Sequence, residues 1–504
     1  MSESKKNHVA ALFLVAYCFL LGIFCCGTSP LIDFMSVDSS VFFTIGRGMR
    51  EGLVAYKDMF EHKGFYLYVF NWIGALISSE TSIGLYIVEC AILAIGAMVL
   101  YKIYSLSVEP FILRILAVLL MLGVSVNYFT FQGGNLVETY GVCLQYISLY
   151  FVFLEWTSGE VEHPPRYMMY HGICVAVSLG LRANLVLMWA GIAFGVGFRL
   201  LYHKKYRNLR DNIGMGVAGL ALGITPMIVY GVMTDSLREM YEQMFAFNFR
   251  YSDTSILEKI AKVMRSPIGG GMILISFGIL AVFFWKSNSV WEKIEYSLIT
   301  LFAIAATCIS GRTYGHYFEY LVPLLIPAIG WLVSWKRKIR LDKKWKMAVV
   351  AGILFTGSIV GNLRFPIKLF ADSLSKEYVR VIYECRDELE TRGLLHEDMR
   401  IIVTDINAMC YNKLNVIPKD KYFYIPSISY ESFPNAVDEQ ANQIINEKND
   451  AVFLYYKNME AGRIFSTSKY DEQIKEVLKE NYEKVIENPS VGMEMYVWRN
   501  SAQK

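Results

Sequence analysis

Apolar runs long enough to cross about 30 Å of hydrocarbon recur near 9–27, 83–104, 111–127, 139–155, 169–182, 184–202, 213–233, 268–285, 295–310, 317–334 and 346–362. They predict an α-helical membrane bundle of about 11 transmembrane helices. A further apolar run, 65–79, is short and ends in Ser78-Ser79-Glu80, so it reads as a helix lying on the outer membrane surface. From about 363 the pattern changes. Regular charges return, and short β-rich runs at 400–404, 451–456 and 494–498 alternate with helical patterns near 375–393, 436–448 and 470–484. Such alternation predicts a small α/β domain. The chain therefore divides into a membrane unit, 1–362, with a long first loop at 28–82, and an α/β domain, 363–504.

Basic residues accumulate on cytoplasmic loops near span ends, and here they form four clusters. Lys5-Lys6 precede the first span, and His203, Lys204, Lys205, Arg207 and Arg210 follow the sixth. Lys286 and Lys293 flank the link between the eighth and ninth, and Lys336, Arg337, Lys338, Arg340, Lys343, Lys344 and Lys346 follow the tenth. With 65–79 left on the surface, all four clusters and the N-terminus fall on the cytoplasmic side. The same count puts Asp38, Asp58, Glu61 and the α/β domain outside. No small-residue cleavage site follows the first apolar run, which reads as a retained anchor rather than a cleaved signal.

Composition agrees with a membrane class: 54% of the 504 residues are hydrophobic and 19% charged, against about 25% charged in ordinary soluble chains. A net charge of +3, with no basic run interleaved with aromatics, gives no reason to expect nucleic acid. Seven of the nine cysteines lie in or beside apolar spans, where thiols behave as small hydrophobes. Cys385 and Cys410 fall in the α/β domain, and a bridge between them is left open. That domain has no Gly-x-Gly-x-x-Gly and no Walker-type loop, and no cysteine or histidine spacing argues for zinc. No cofactor or metal is expected. Carboxylates suit magnesium or manganese, but Asp38 and Asp58 are weak support for a divalent cation.

The densest chemistry lies at 36–70. Asp38 comes a few residues beyond a span exit, and Asp58, Glu61, His62 and Lys63 cluster before the chain turns apolar again. An acid so close to hydrocarbon is costly to desolvate; on spacing alone a solvated loop accounts for it as well as a functional site does.

The order of residues after the first span is Asp38, an aromatic, Gly46-Arg47-Gly48-Met49, Glu51-Gly52, Tyr56-x-Asp58, Phe60-Glu61-His62-Lys63-Gly64 and an aromatic-rich helix. It resembles the first outer loop of GT-C glycosyltransferases, more narrowly the bacterial relatives of protein O-mannosyltransferases and lipid A aminoarabinose transferases. This chain has Lys63-Gly64-Phe65 where two prolines are common in that family. The resemblance implies inverting transfer of a sugar from a polyprenyl-phosphate carrier to a glycan, lipid or protein acceptor, in contact with membrane lipid. The place implied is the outer face of a bacterial cytoplasmic membrane. A general base is then the main requirement, and the resemblance gives that role to Asp38. Asp58 and Glu61 become secondary acids that orient the acceptor or tune Asp38 by like-charge repulsion.

Further positions are candidates, some from the residues themselves and some from the resemblance. His62 and Lys63 would contact phosphate, with a snorkelling lysine as the alternative. Arg182, interrupting an apolar region at 180–184, would bind the carrier phosphate or else pair with a headgroup or acid. Glu138 resembles a loop acid of the family, or caps its helix. Arg250 and Tyr251 close an aromatic stretch that would hold isoprenoid or sugar, or form an interfacial belt. Arg312 and His316, in a Tyr-x-His-Tyr context leading into a late span, would contact phosphate or acceptor. Glu89, an acid in the outer half of the second span, is explained equally well by a site role and by a buried pairing. Tyr411-Asn412 and Tyr422-Phe423-Tyr424 resemble a stretch common in the family's outer domains, and a packing core explains them better. A transporter or flippase of a lipid-linked sugar is the alternative function. It would be expected to show internal repeats and paired broken helices, which this sequence lacks.

Overall fold

The computed structural model of the chain describes residues 2–250, 255–335, 373–456 and 463–499. The membrane unit begins with α1 (Glu3–Cys25), α2 (Val37–Arg50), α3 (Phe65–Ile77), α4 (Ile83–Ser105), α5 (Phe111–Ser125), α6 (Val137–Ser158) and α7 (Pro165–Leu179). A 3-10 turn at Ala183–Val186 leads into α8 (Leu187–Tyr202), followed by α9 (Tyr206–Met233) and α10 (Leu237–Tyr241). A π turn, Glu242–Ala246, joins α10 to α11 (Phe247–Arg250). Then come α12 (Ile256–Arg265), α13 (Pro267–Lys286), α14 (Val290–Cys308), a 3-10 run at Gly315–Leu325 and α15 (Ile326–Trp335). Ten of the eleven expected apolar runs are thus helical; the eleventh, 346–362, and the basic cluster before it lie outside the described residues. Among the described residues seven helical segments are long and apolar enough to cross a membrane.

The short run at 65–79 is α3, whose 13 residues reach about 20 Å, less than a hydrocarbon core. The expected loop 28–82 is more ordered than its sequence suggests, because α2 occupies its middle. Ser36 caps that helix by accepting the Ser39 N–H at 3.3 Å. Asp38 in its first turn and Arg47 and Arg50 in its last complement the helix dipole. Its apolar side, with Val41, Phe42 and Ile45, is buried in the main core. Gly46 lies against the backbone of Asn71, which any Cβ would overlap, so glycine is what lets α2 and α3 touch.

The α/β domain contains α16 (Ser373–Thr391), β1 (Ile401–Val403), α17 (Met409–Leu414), α18 (Asn435–Asn446), β2 (Ala451–Tyr455), α19 (Asp471–Asn481), β3 (Tyr482–Asn488) and β4 (Met493–Trp498). Its sheet has the order β1-β2-β4-β3, with β1 and β2 parallel and the other pairs antiparallel. The helical pattern expected to run through 484 stops at Asn481, and β3 takes over. Glu483, Lys484 and Glu487 give that strand the charged character of a sheet edge, which hides it from a hydrophobicity pattern. Cys385 and Cys410 are buried free thiols.

The domain sits on α2. Ser40, Thr44 and Arg47, spaced to share one helix face, meet it in turn. Ser40 Oγ donates to Asn407 Oδ1 at 2.7 Å, Thr44 Oγ1 to Asn412 Oδ1 at 3.1 Å, and Arg47 Nη1 to the Tyr411 carbonyl at 2.9 Å. Arg47 Nη2 adds a bond to Asn415 Oδ1 at 2.6 Å, and its side chain is buried. Lys413 Nζ donates to the Asp33 carbonyl at 2.9 Å, just beyond the end of α1. At the opposite end of the bundle Arg199 pairs with Glu155 and, at 3.1 Å, with Glu295, tying α6, α8 and α14 together. Helix directions place Lys5-Lys6, His203–Arg210 and Lys286 with Lys293 at that far end, away from the α/β domain.

Candidate active site

Two backbone bonds bring the 61–64 turn against the end of α7. The Gly64 N–H donates to the Leu181 carbonyl at 2.9 Å, and the Tyr66 N–H to the Gly180 carbonyl at 2.8 Å. A Cβ at Gly64 would overlap the Gly180 carbonyl oxygen. Glycine therefore serves here where proline is common in the resembled family: its N–H is used, and proline has none. The result sets Lys63 beside Arg182. The turn is braced from behind by Gln243 of the π turn, which donates to the Tyr56 carbonyl at 2.6 Å and accepts the Glu61 N–H at 3.2 Å.

Glu61 is buried and fully engaged. It accepts the Tyr424 hydroxyl from the α/β domain and lies 3.2 Å from His62 Nδ1 and 3.5 Å from Lys63 Nζ. Burial works against its charge, but His62, Lys63 and the Tyr424 hydroxyl outweigh it and hold its carboxyl below the ordinary range. Burial pushes His62 down to about 4 in spite of Glu61, so the ring is neutral at pH 7, and the Lys63 ammonium donates to its Nε2 at 2.9 Å. Lys63 itself is disfavoured by burial yet held above its usual value by Glu61 and Asp38.

Asp38 is half-buried in the first turn of α2. Its carboxylate acts electrostatically on His62, Lys63 and His316. Among the described residues it makes no hydrogen bond or ion pair. Across the site Arg182 Nη1 donates to Glu138 Oε1 at 2.9 Å, and its guanidinium lies 4.1 Å from the Tyr317 ring centre. His316 Nδ1 is 2.9 Å from Gln132 Oε1. Asp38, Glu61, His62, Lys63, Glu138, Arg182 and His316 thus form one electrostatically linked group.

Asp58 is exposed and accepts the N–H of Val54 at 2.7 Å, closing its own turn. Arg312 occupies the bend between α14 and the 3-10 run, where its N–H donates to Ser310 Oγ at 3.3 Å. Arg250 ends α11, but its side chain, like Tyr251, lies outside the described residues. Glu89 is buried and accepts the Thr28 hydroxyl, the pairing that was one of its two readings. Gln132 enters as a contact that the sequence did not single out, while Tyr424, read there as part of a packing core, bonds Glu61, and Tyr317, read there only as the context of His316, lies under Arg182. Among the described residues no group of three or more His, Cys, Asp or Glu is placed to hold a metal ion.

No family model and no curated protein matches the chain. Among solved structures, the crystal structure of ArnT from Cupriavidus metallidurans bound to undecaprenyl phosphate is similar to it, with a TM-score of 0.60 at 11% identity over 100% of both chains. The same protein in the apo state gives a TM-score of 0.57 at 11% identity over 98% of each chain. The likeness shows the fold: a GT-C-type membrane bundle with a small C-terminal α/β domain, as the sequence led us to expect.

Proposed function

We propose that the protein is an integral membrane glycosyltransferase that moves a sugar from a polyprenyl-phosphate carrier to an acceptor hydroxyl at the end of the bundle capped by the α/β domain. That end would face outward from a bacterial cytoplasmic membrane. One observation carries the reading: Asp38 holds a half-buried carboxylate with no hydrogen bond among the described residues, beside Lys63, in a fold shared with a protein crystallised with undecaprenyl phosphate. Lys63 and Arg182 would clasp the carrier phosphate through charge-assisted hydrogen bonds. Asp38 would take the proton of the acceptor hydroxyl as its oxygen bonds to the anomeric carbon. The bond from that carbon to the phosphate oxygen breaks, its electron pair leaves with the lipid phosphate, and the configuration at carbon inverts. Glu61 supports this by keeping Lys63 charged.

The test is transfer from undecaprenyl-phosphate-linked sugars by protein in nanodiscs. Asp38→Asn keeps the size of the side chain but cannot take the proton, so turnover falls roughly 10²–10⁴-fold while the melting temperature stays put. Turnover near wild type overturns Asp38 as the base. A wild-type protein that transfers no such sugar overturns the glycosyltransferase reading itself.

A further inference from the structure

The segment 132–138 touches Arg182, to which the reading above gives a task, His316 of the same electrostatic group, and Ser39, the neighbour of Asp38. Gln132 Oε1 meets His316 Nδ1 at 2.9 Å, Asn135 Nδ2 donates to Ser39 Oγ at 2.8 Å, and Glu138 Oε1 accepts from Arg182 at 2.9 Å. Its backbone is unusual. Gln132, Gly133, Gly134 and Asn135 have φ of 51, 93, 76 and 50°, four left-handed residues in succession. Two of them carry side chains, and such residues hold that conformation only when their surroundings impose it.

The surroundings here do so. The Gly27 N–H donates to the Gly133 carbonyl at 2.7 Å, and the Asn135 N–H donates to the buried Glu89 carboxylate. The Asn135 side chain, fully buried, bridges three helices. Beyond its bond to Ser39 on α2, it exchanges hydrogen bonds with the Asn71 amide on α3 at 3.0 and 3.1 Å and accepts the Tyr140 hydroxyl on α6 at 2.9 Å. Ser39 immediately follows Asp38. The orientation of the first turn of α2 is therefore set by an amide on a strained loop whose neighbours also set Arg182 and His316.

We infer that Asn135 is the positioning residue for Asp38, acting through Ser39. The inference rests on the glycosyltransferase reading, because it gives Asn135 a role only if Asp38 has one. A base displaced by a fraction of an ångström loses its alignment with the acceptor while the phosphate clasp on the other side of the site remains intact. Removing the Asn135–Ser39 bond should therefore lower kcat and leave the KM for the donor unchanged.

The experiment uses the full chain in nanodiscs with whichever of undecaprenyl-phosphate-linked glucose, mannose, galactose or aminoarabinose the wild type turns over. Ser39→Ala removes only the hydroxyl. Asn135→Asp keeps the acceptor oxygen and tolerates the left-handed backbone but lacks the amide donor. Each is expected to lower kcat about 10- to 100-fold with donor KM near wild type; the melting temperature should hold in Ser39→Ala, whereas Asn135→Asp, which also loses its bond to Asn71, should melt lower. The double variant should fall no further than the weaker single one, since both break the same bond, and Ser39→Thr, which keeps the hydroxyl, should restore the rate. Wild-type kcat in Ser39→Ala overturns the inference, as do losses that multiply in the double variant. A rise in donor KM equal to the loss in rate also overturns it. If Asn135→Asp does not fold, Ser39→Ala and its threonine rescue decide alone. A wild type inactive with every donor sinks the functional reading instead, a different result from an active wild type with an insensitive Ser39.

Discussion

At the turn before α3, Glu61, His62 and Lys63 lie in contact, and burial keeps the His62 ring uncharged at neutral pH. With its pKa pushed by burial from 6.5 to about 4, the folded protein binds fewer protons than the unfolded chain between those values. Stability therefore rises with pH across that window. The contribution is complete above about pH 6.5 and is lost as pH falls toward 4, about 3 kcal/mol for a shift of that size. His62→Gln removes the titration, so the stability of the variant relative to wild type should climb as pH is lowered from 6.5 to 4. Melting curves that run parallel across this range would show that the ring titrates elsewhere. Sequence brought Arg182 to notice as a cation interrupting an apolar region, Asp38 and Lys63 as charges gathered after the first span, and Glu138 and His316 through the family resemblance. It could not have paired them. The bond from Tyr424 to Glu61 crosses 363 residues and that from Gln132 to His316 crosses 184, and no local pattern records either. Asp58 shows the converse: a carboxylate that closes its own turn has the same spacing as one that faces a substrate.

Among the elements, long helices were legible because an apolar run of about twenty residues leaves few alternatives. α2 was not, since 14 residues rich in glycine, serine and charge read as loop until the partners on both of its faces are known. Gly64 is where this chain commits to its own version of the site. Replacing it with proline, the wording common in the resembled family, deletes the bond to Leu181 and drives a ring into the Gly180 carbonyl. We expect Gly64→Pro to cost about 3 kcal/mol or more and to weaken donor binding by parting Lys63 from Arg182. A variant that melts and binds donor like wild type would show that the backbone seam between 64–66 and 180–181 is dispensable.

For the whole molecule, the basic clusters that the structure describes gather at the end away from the α/β domain, and the positive-inside rule turns that polarity into an orientation. Lys469 is exposed on the α/β domain, 3.3 Å from Asp438. A cysteine placed there by Lys469→Cys should react with an impermeant maleimide on intact bacterial cells, and protection would reverse the orientation. The α/β domain was legible as a separate composition, but its attachment was not, because neither the polar pairs with α2 nor the packing of Phe60 and Phe247 on Tyr422 and Phe433 leaves a local pattern. Ser40 and Thr44 also bond the Val37 and Ser40 carbonyls of their own helix, but among the described residues every hydrogen bond of the Arg47 side chain goes to Tyr411, Asn412, Asn415 and Val416. Severed from the bundle, residues 373–499 would display a mould of α2 rather than a finished surface, and the bundle would be left with a buried guanidinium suddenly bare. The two parts are halves of one hinge-pin joint, so a chain cut between them should regain its shape only when both pieces are made together, and a domain borrowed from a relative would not seat unless this stripe of polar teeth came with it.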